Sequence, residues 1–261
     1  MSRQDNSAES GQERRFAGVA RLYGQTAVQG FASAHVCVVG VGGVGSWAVE
    51  ALARSGIGQL SLIDADHLVE SNINRQLQAL DTTLGMAKTQ ALGQRIGQIN
   101  PQARVHSLEQ MLSEENLSAL LPGDCDYLLD CIDNFRVKAA LIHHCKRRKL
   151  PLLTLGGAGG KRDPGLIRLA DLSRTEHDPL LAKTRKQLRQ GYGFSSNPKR
   201  RFGVPCIYSQ EQSRPSQGCP QSDASLNCSG FGSSMAVTAS FGLFAAAQVL
   251  KYLSERELRT E

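Results

Sequence analysis

No Cys-x-x-Cys pair occurs anywhere in the 261 residues, although the chain has seven cysteines. The missing spacing argues against a paired-cysteine zinc site, and the odd number argues against a closed disulfide framework. A reducing cytoplasm is the compartment that fits. An apolar leader is also missing. Residues 1–12 are polar, without a hydrophobic h-region, so residues 1–13 read as a disordered tail rather than a secretory signal. Acidic residues are scarce in the second half. Residues 1–130 hold nine Lys and Arg against fourteen Asp and Glu, a net of −5, whereas residues 131–261 hold twenty-one against ten, a net of +11. One basic run is usually a solvated face. Four of them in one half (146–149, 161–162, 183–189 and 199–201) point to a polyanionic partner, with nucleic acid the obvious one.

The hydrophobic share of 41% supports a sizeable core, and the length suits one large α/β domain or one domain with an appendage. The organising stretch runs from His35 to Arg75. His35–Val39 is a β-branched run typical of a buried strand, and it feeds a loop in which Gly40, Gly42 and Gly45 stand at G-x-G-x-x-G spacing around Gly43 and Ser46. Glycine there permits a tight turn and close approach of backbone N–H groups to a phosphate. Residues 44–55 read as the following helix, whose N-terminus offers donors to an anion. Residues 60–63 read as a second strand ending at Asp64, placed to accept hydrogen bonds from ribose hydroxyls. This much predicts a nucleotide.

Asp66, the run Ser71-Asn72-Ile73-Asn74-Arg75-Gln76, Lys88 and Asp130-Cys131-Ile132-Asp133-Asn134 follow in order. A nicotinamide dehydrogenase has no evident use for two cations and a second acidic site near the phosphates. An enzyme displacing pyrophosphate from ATP does: Arg75 and Lys88 would neutralise developing phosphate charge, and Asp133 would hold Mg²⁺. This ordered set, spanning residues 14–160, resembles the adenylation domain of the ubiquitin-activating-enzyme superfamily, which includes the bacterial molybdopterin- and thiamine-biosynthesis adenylating enzymes. Zinc-bearing members carry Cys-x-x-Cys pairs, and the chain departs from them there.

Strand and helix alternate onward. Helix is expected over 86–99, strand over 104–108, a short helix over 113–121, strand over 127–131, helix over 135–148 and strand over 152–155, opening into Gly156–Gly160. The fold class is therefore α/β, a Rossmann-like, doubly wound, mostly parallel sheet with ligands at strand C-terminal ends. Residues 14–160 form the expected ATP-binding domain, and residues 161–261 a basic substrate-binding extension closing on a helix. Residues 190–220 read as a long mobile loop with one strand at 203–208. Tyr192 and Phe194 within it are either loop anchors or platforms for an unpaired base. Residues 235–253 are apolar, and read as a helix closing the core or a dimer, with peripheral or single-pass membrane association the alternative.

A narrower resemblance covers almost the whole chain. Gly18-Val19-Ala20-Arg21-Leu22-Tyr23-Gly24, Trp47 in the glycine loop helix, the Asn72–Gln76 run, Gly156–Gly160, Asp178-Pro179-Leu180 and Cys228-Ser229-Gly230-Phe231-Gly232 occur together. That combination resembles the tRNA threonylcarbamoyladenosine dehydratase branch of the superfamily. The resemblance implies ATP-dependent ring closure of the threonylcarbamoyl group on the adenosine beside the anticodon. The threonine carboxylate would be activated by adenylation or phosphorylation, with the basic half holding the anticodon arm of tRNA. It also implies a homodimer in which an arginine of the first helix, Arg15 or Arg21, reaches the partner's ATP. A cysteine desulfurase and its sulfur acceptor are further implied partners. Cys228 is a candidate nucleophile, set against the reading of a small buried thiol. The competing activities are adenylation of the C-terminal glycine of a ubiquitin-like sulfur carrier, a nicotinamide dehydrogenase, and a non-catalytic tRNA-binding or sulfur-relay scaffold.

Overall fold

A computed structural model describes residues 3–213 and 231–257. Its centre is a seven-stranded sheet in the order β3-β2-β1-β4-β5-β7-β6. Strand β1 (His35–Val39) pairs in parallel with β2 (Gln59–Ile63) on one side and β4 (Tyr127–Asp130) on the other. Strand β3 (Arg104–Leu108) extends the β2 side, and β5 (Leu152–Leu155) the β4 side, both parallel. Successive strands leave β1 in opposite directions, so a crevice opens above β1 and β4, where doubly wound sheets bind ligands.

Residues of β1 are buried at every position because both faces of the sheet are covered. Val36 and Val38 meet α2 (Gln25–Ser33), α3 (Gly45–Arg54), α4 (Lys88–Ile99) and α8 (Met235–Glu257), through side chains such as Phe31, Leu52, Leu92 and Phe241. Cys37 and Val39 face the opposite core, built with α5 (Leu117–Leu120), α6 (Phe135–Arg148) and α7 (Pro179–Gly191).

The second half completes this sheet instead of standing apart from it. Strand β7 (Pro205–Ser209) pairs in parallel with β5, and β6 (Ile167–Asp171) returns antiparallel at the edge. The expected boundary at Gly160 thus falls within one continuous sheet. At the other end, the backbone is helical from Arg3, so helix α1 (Arg3–Tyr23) runs through most of the segment read as a tail. Gly24, at φ 90°, separates α1 from α2. The loop expected to be mobile is pinned up to Val204. Asp171 accepts the backbone N–H groups of Phe202, Gly203 and Val204 at 2.7–3.1 Å. Burial opposes ionisation of Asp171, but the Ser173 hydroxyl and these amides hold its carboxyl below the ordinary carboxylate value.

Helix α8 is long and apolar enough to cross a membrane by length and composition. Its residues Val237, Phe241, Ala245 and Val249 are fully buried in the core, which accounts for the apolar run without a bilayer. It packs on α3 at backbone distance: a Cβ on Gly242 would lie 2.4 Å from the Val44 carbonyl oxygen and 2.8 Å from the Ala48 nitrogen. Gly242→Val is expected to cost about 1–3 kcal/mol by forcing the helices apart. In a thermal unfolding experiment this corresponds to a Tm lower by roughly 2–12 °C.

Candidate active site

Loops leaving the C-terminal ends of β1, β2, β4 and β5 enclose a cavity of about 810 Å³. Ten predicted contacts line it together. Gly40, Gly42 and Gly43 come from the loop after β1; Asp64 and Asp66 follow β2; Asn72, Arg75 and Gln76 stand on the next loop; Lys88 opens α4; Asp133 follows β4. Gly45 and Ser46 do not line it. Gly45 underlies the turn, where a Cβ would lie 1.9 Å from the Gly40 carbonyl oxygen. Ser46 is fully buried, and its hydroxyl accepts the Leu77 N–H, so it holds the arginine-bearing loop against α3 rather than a ligand. Trp47 assists by donating its indole N–H to the Arg75 carbonyl at 2.9 Å. No side chain caps α3; the Ser46 N–H donates to the Gly42 carbonyl at 3.1 Å, and the N–H groups of Gly45 and Trp47 remain for an anion.

Asp64 accepts the N–H groups of Val41 at 2.8 Å and Asp66 at 2.9 Å. A carboxylate has about four acceptor positions, so capacity remains for ribose hydroxyls. Burial raises its pKa above the ordinary value, against the pull of Lys88 and these two amides. The carboxylate is therefore ionised and able to accept further hydrogen bonds above that raised value, and loses this capacity as pH falls through it. Asp64→Asn is expected to weaken ATP binding about ten- to a hundredfold, the worth of a hydrogen bond to a charged group, as measured by calorimetric titration.

The two cations are held differently. Lys88 is nearly buried and lies 2.6 Å from the exposed carboxylate of Asp66, so Asp66, predicted to touch the nucleotide, holds the lysine. The Arg75 guanidinium rests on the Ser71 carbonyl at 2.7 Å and the Asn74 side chain at 2.9 Å, with its other donors spare among the described residues. Asp133 has no hydrogen-bond or ion-pair partner among the described residues. Asp130, three residues earlier, is committed instead to Lys138 at 2.8 Å, with both side chains at 0% exposure. No cluster of three metal-ligating side chains occurs among the described residues.

Sequence reasoning quoted Asp178 within the Asp178-Pro179-Leu180 motif but gave it no role at the site. Asp178 is buried, caps α7 by accepting the Leu181 N–H, and also accepts the Gly157 N–H at 2.9 Å, fixing the glycine segment after β5 at the cavity. The Asp-Pro pair at a helix start was the available signal. Gln76, a predicted contact, and Thr238 also line the cavity, with Oε1 and Oγ1 buried and without partners among the described residues. Thr238 lies on α8, beyond reach of any local pattern.

The ThiF family profile matches residues 14–261. The chain belongs to the ThiF family. It is 46% identical over 261 residues to the tRNA threonylcarbamoyladenosine dehydratase of Haemophilus influenzae, covering 98% of each chain. The Escherichia coli protein of the same name is 44% identical over 260 residues, 94% of this chain and 96% of that one. The crystal structure of the E. coli enzyme in complex with ATP matches with a TM-score of 0.87 at 44% identity, covering 95% of this chain and 97% of that chain. As a ThiF family member the chain has the expected α/β, Rossmann-like architecture, with a C-terminal helix on the sheet.

Of the two candidate arginines on α1, Arg15 is engaged within its own chain, donating to the Gln98 and Ile99 carbonyls at the end of α4. Arg21 is exposed and without a hydrogen-bond or ion-pair partner among the described residues. Phe194 packs edge-on against Phe202 at 5.1 Å, as a loop anchor. Cys228 lies outside the described residues.

Proposed function

We propose that the chain is an ATP-dependent tRNA threonylcarbamoyladenosine dehydratase. The observation that carries this reading is the convergence of Arg75, Lys88 and Asp133 on the cavity over the glycine loop. The near-full-length similarity to enzymes of that name supports the choice of substrate.

In this scheme the glycine loop and the α3 N-terminus receive phosphate oxygens, and Asp64 holds the ribose. Arg75 and Lys88 balance charge that grows on the phosphates as a threonine carboxylate oxygen attacks phosphorus. With attack at the α-phosphorus, pyrophosphate leaves and an acyl-adenylate remains. A nitrogen or oxygen of the same modification then attacks the carbonyl, loses its proton and expels AMP. The net change in the nucleoside is loss of one water. Ring closure is intramolecular, so proximity drives it without a thioester cysteine.

The unpartnered Asp133 fits Mg²⁺, which is bound through one or two carboxylates plus substrate phosphates rather than by a protein cage. When bound, the ion would withdraw charge from the phosphates. We further propose a homodimer in which the unpaired Arg21 serves the partner's nucleotide, with the cytoplasm as the compartment.

The test is to incubate the protein with ATP, Mg²⁺ and tRNA carrying the threonylcarbamoyl group, then digest the tRNA and weigh its nucleosides. Loss of one water from the modified adenosine is expected. An unchanged nucleoside, together with ATP–pyrophosphate exchange that needs a ubiquitin-like protein, would overturn the assignment in favour of a sulfur-carrier adenylating enzyme.

A further inference from the structure

A second cavity, of about 340 Å³, lies apart from the first and is lined by α6, the segment before and within α5, and Tyr192 just past α7. That volume sits near the lower end for small-ligand sites. Its position follows from the helices. Both α6 and α7 begin at the ATP cavity, where Asn134 and Val137 of one and Asp178 and Leu180 of the other line the wall. From Val137 to His144 is seven residues of helix, or about 10 Å, so the second cavity lies farther along the same two helices. Cations mark the way: Arg136 and Lys183 lie over the Phe135 ring at 5.4 and 5.9 Å.

The chemistry of the second cavity is aromatic and cationic together. The Tyr192 ring lies 4.8 Å from that of His143 at 31°, and its hydroxyl donates to Glu114 at 2.9 Å, so the platform is held from both ends. Arg147 and Arg148 are exposed, and neither has a hydrogen-bond or ion-pair partner among the described residues. Burial, then Arg148 and His143, lower the pKa of His144, which favours a neutral ring with one donor and one acceptor nitrogen. A flat stacking surface, two free guanidinium groups and a neutral imidazole are what a nucleotide within a strand requires. The Glu114 carboxylate is spent on Tyr192, which leaves the arginines to set the sign of the site.

We propose that this second cavity holds a nucleotide of the same RNA whose modified adenosine enters the ATP cavity, its base against Tyr192 and His143 and its backbone phosphate on Arg147 and Arg148. The inference rests on the dehydratase reading and adds to it a subsite for the RNA strand beside the reacting residue. A single strand can reach from one cavity to the other.

Two variants test it, Arg147→Gln/Arg148→Gln and Tyr192→Leu, each checked for an unchanged Tm. Steady-state rates are measured against tRNA and against ATP, and RNA binding is followed by fluorescence anisotropy over a salt series. The KM for tRNA is expected to rise about tenfold or more in each variant, with the KM for ATP unaltered. The salt slope of RNA binding should fall by about two in the arginine pair only. An unchanged tRNA KM and salt slope overturns the proposal, as does an equal loss for ATP and tRNA. If the wild-type protein dehydrates no nucleoside, the activity assignment fails. The anisotropy series then still decides the subsite, weaker RNA binding by the variants supporting it and equal binding overturning it.

Discussion

Asp133→Ala is expected to reduce dehydration of the modified tRNA by about a hundred- to a thousandfold, the scale lost when one electrostatic stabiliser of a transition state is removed. The structure separates this residue from its neighbour in the Asp130-Cys131-Ile132-Asp133 run. Asp130 is sealed under the site and fully partnered, so it cannot stand in. Asp133 lines the cavity with its carboxylate uncommitted. The loss should therefore fall on turnover. ATP affinity should change far less, because the glycine loop and Asp64 are untouched. Single-turnover conversion, followed by nucleoside mass with ATP saturating, separates the two. A variant that turns over normally would remove Asp133 from the mechanism and with it the proposed Mg²⁺ site.

The largest effect on stability is expected from Lys138→Met. Lys138 and Asp130 form an ion pair with no exposure, and Thr154 completes it, donating to the Asp130 carboxylate at 2.6 Å and accepting from Lys138 at 3.2 Å. Lys138 also donates to the Asp130 carbonyl at 3.3 Å. Removing the cation alone leaves a buried, uncompensated carboxylate, at a cost of about 3–5 kcal/mol. For a chain of this size that lowers Tm by roughly 6–20 °C. The double change Asp130→Leu/Lys138→Met, which removes both charges, should recover most of the loss. A double variant as unstable as the single one would show that the penalty comes from packing rather than from the stranded charge.

Much of this site was legible because its parts are local. Strand, glycine loop, helix and acidic strand end occupy consecutive residues, and each has its own signature, so ten of the twelve residues singled out, all but Gly45 and Ser46, line one cavity. What escaped reading depends on partners distant in the chain. Nothing near Asp130 signals that it will meet Lys138 and Thr154 rather than a ligand. The pinning of residues 202–204 by Asp171 spans some thirty positions, which is why the approach to the strand expected at 203–208 read as part of a mobile loop. Strand β6 was missed because I-R-L-A-D places an arginine among apolar residues and lies at an exposed edge, where burial does not sharpen the pattern. Ser46 shows the converse: a hydroxyl within a glycine-loop motif is here turned inward, where it ties the arginine-bearing loop to α3.

The contact of α8 with α3 has a consequence for synthesis on the ribosome. Strands β1 to β5 are complete by Leu155, but the helix that covers α3 begins roughly eighty residues later, at Met235. At the usual pace of translation, about 5–20 residues per second, the interval lasts some seconds. Throughout it, the outer face of the phosphate-loop helix is bare and one wall of the cavity lacks Thr238. A nascent chain with all its glycines and acidic residues in place is therefore still without a finished nucleotide site. Products truncated before α8 should be sticky and inactive, so the sheet and its motifs depend for function on a helix made long after them.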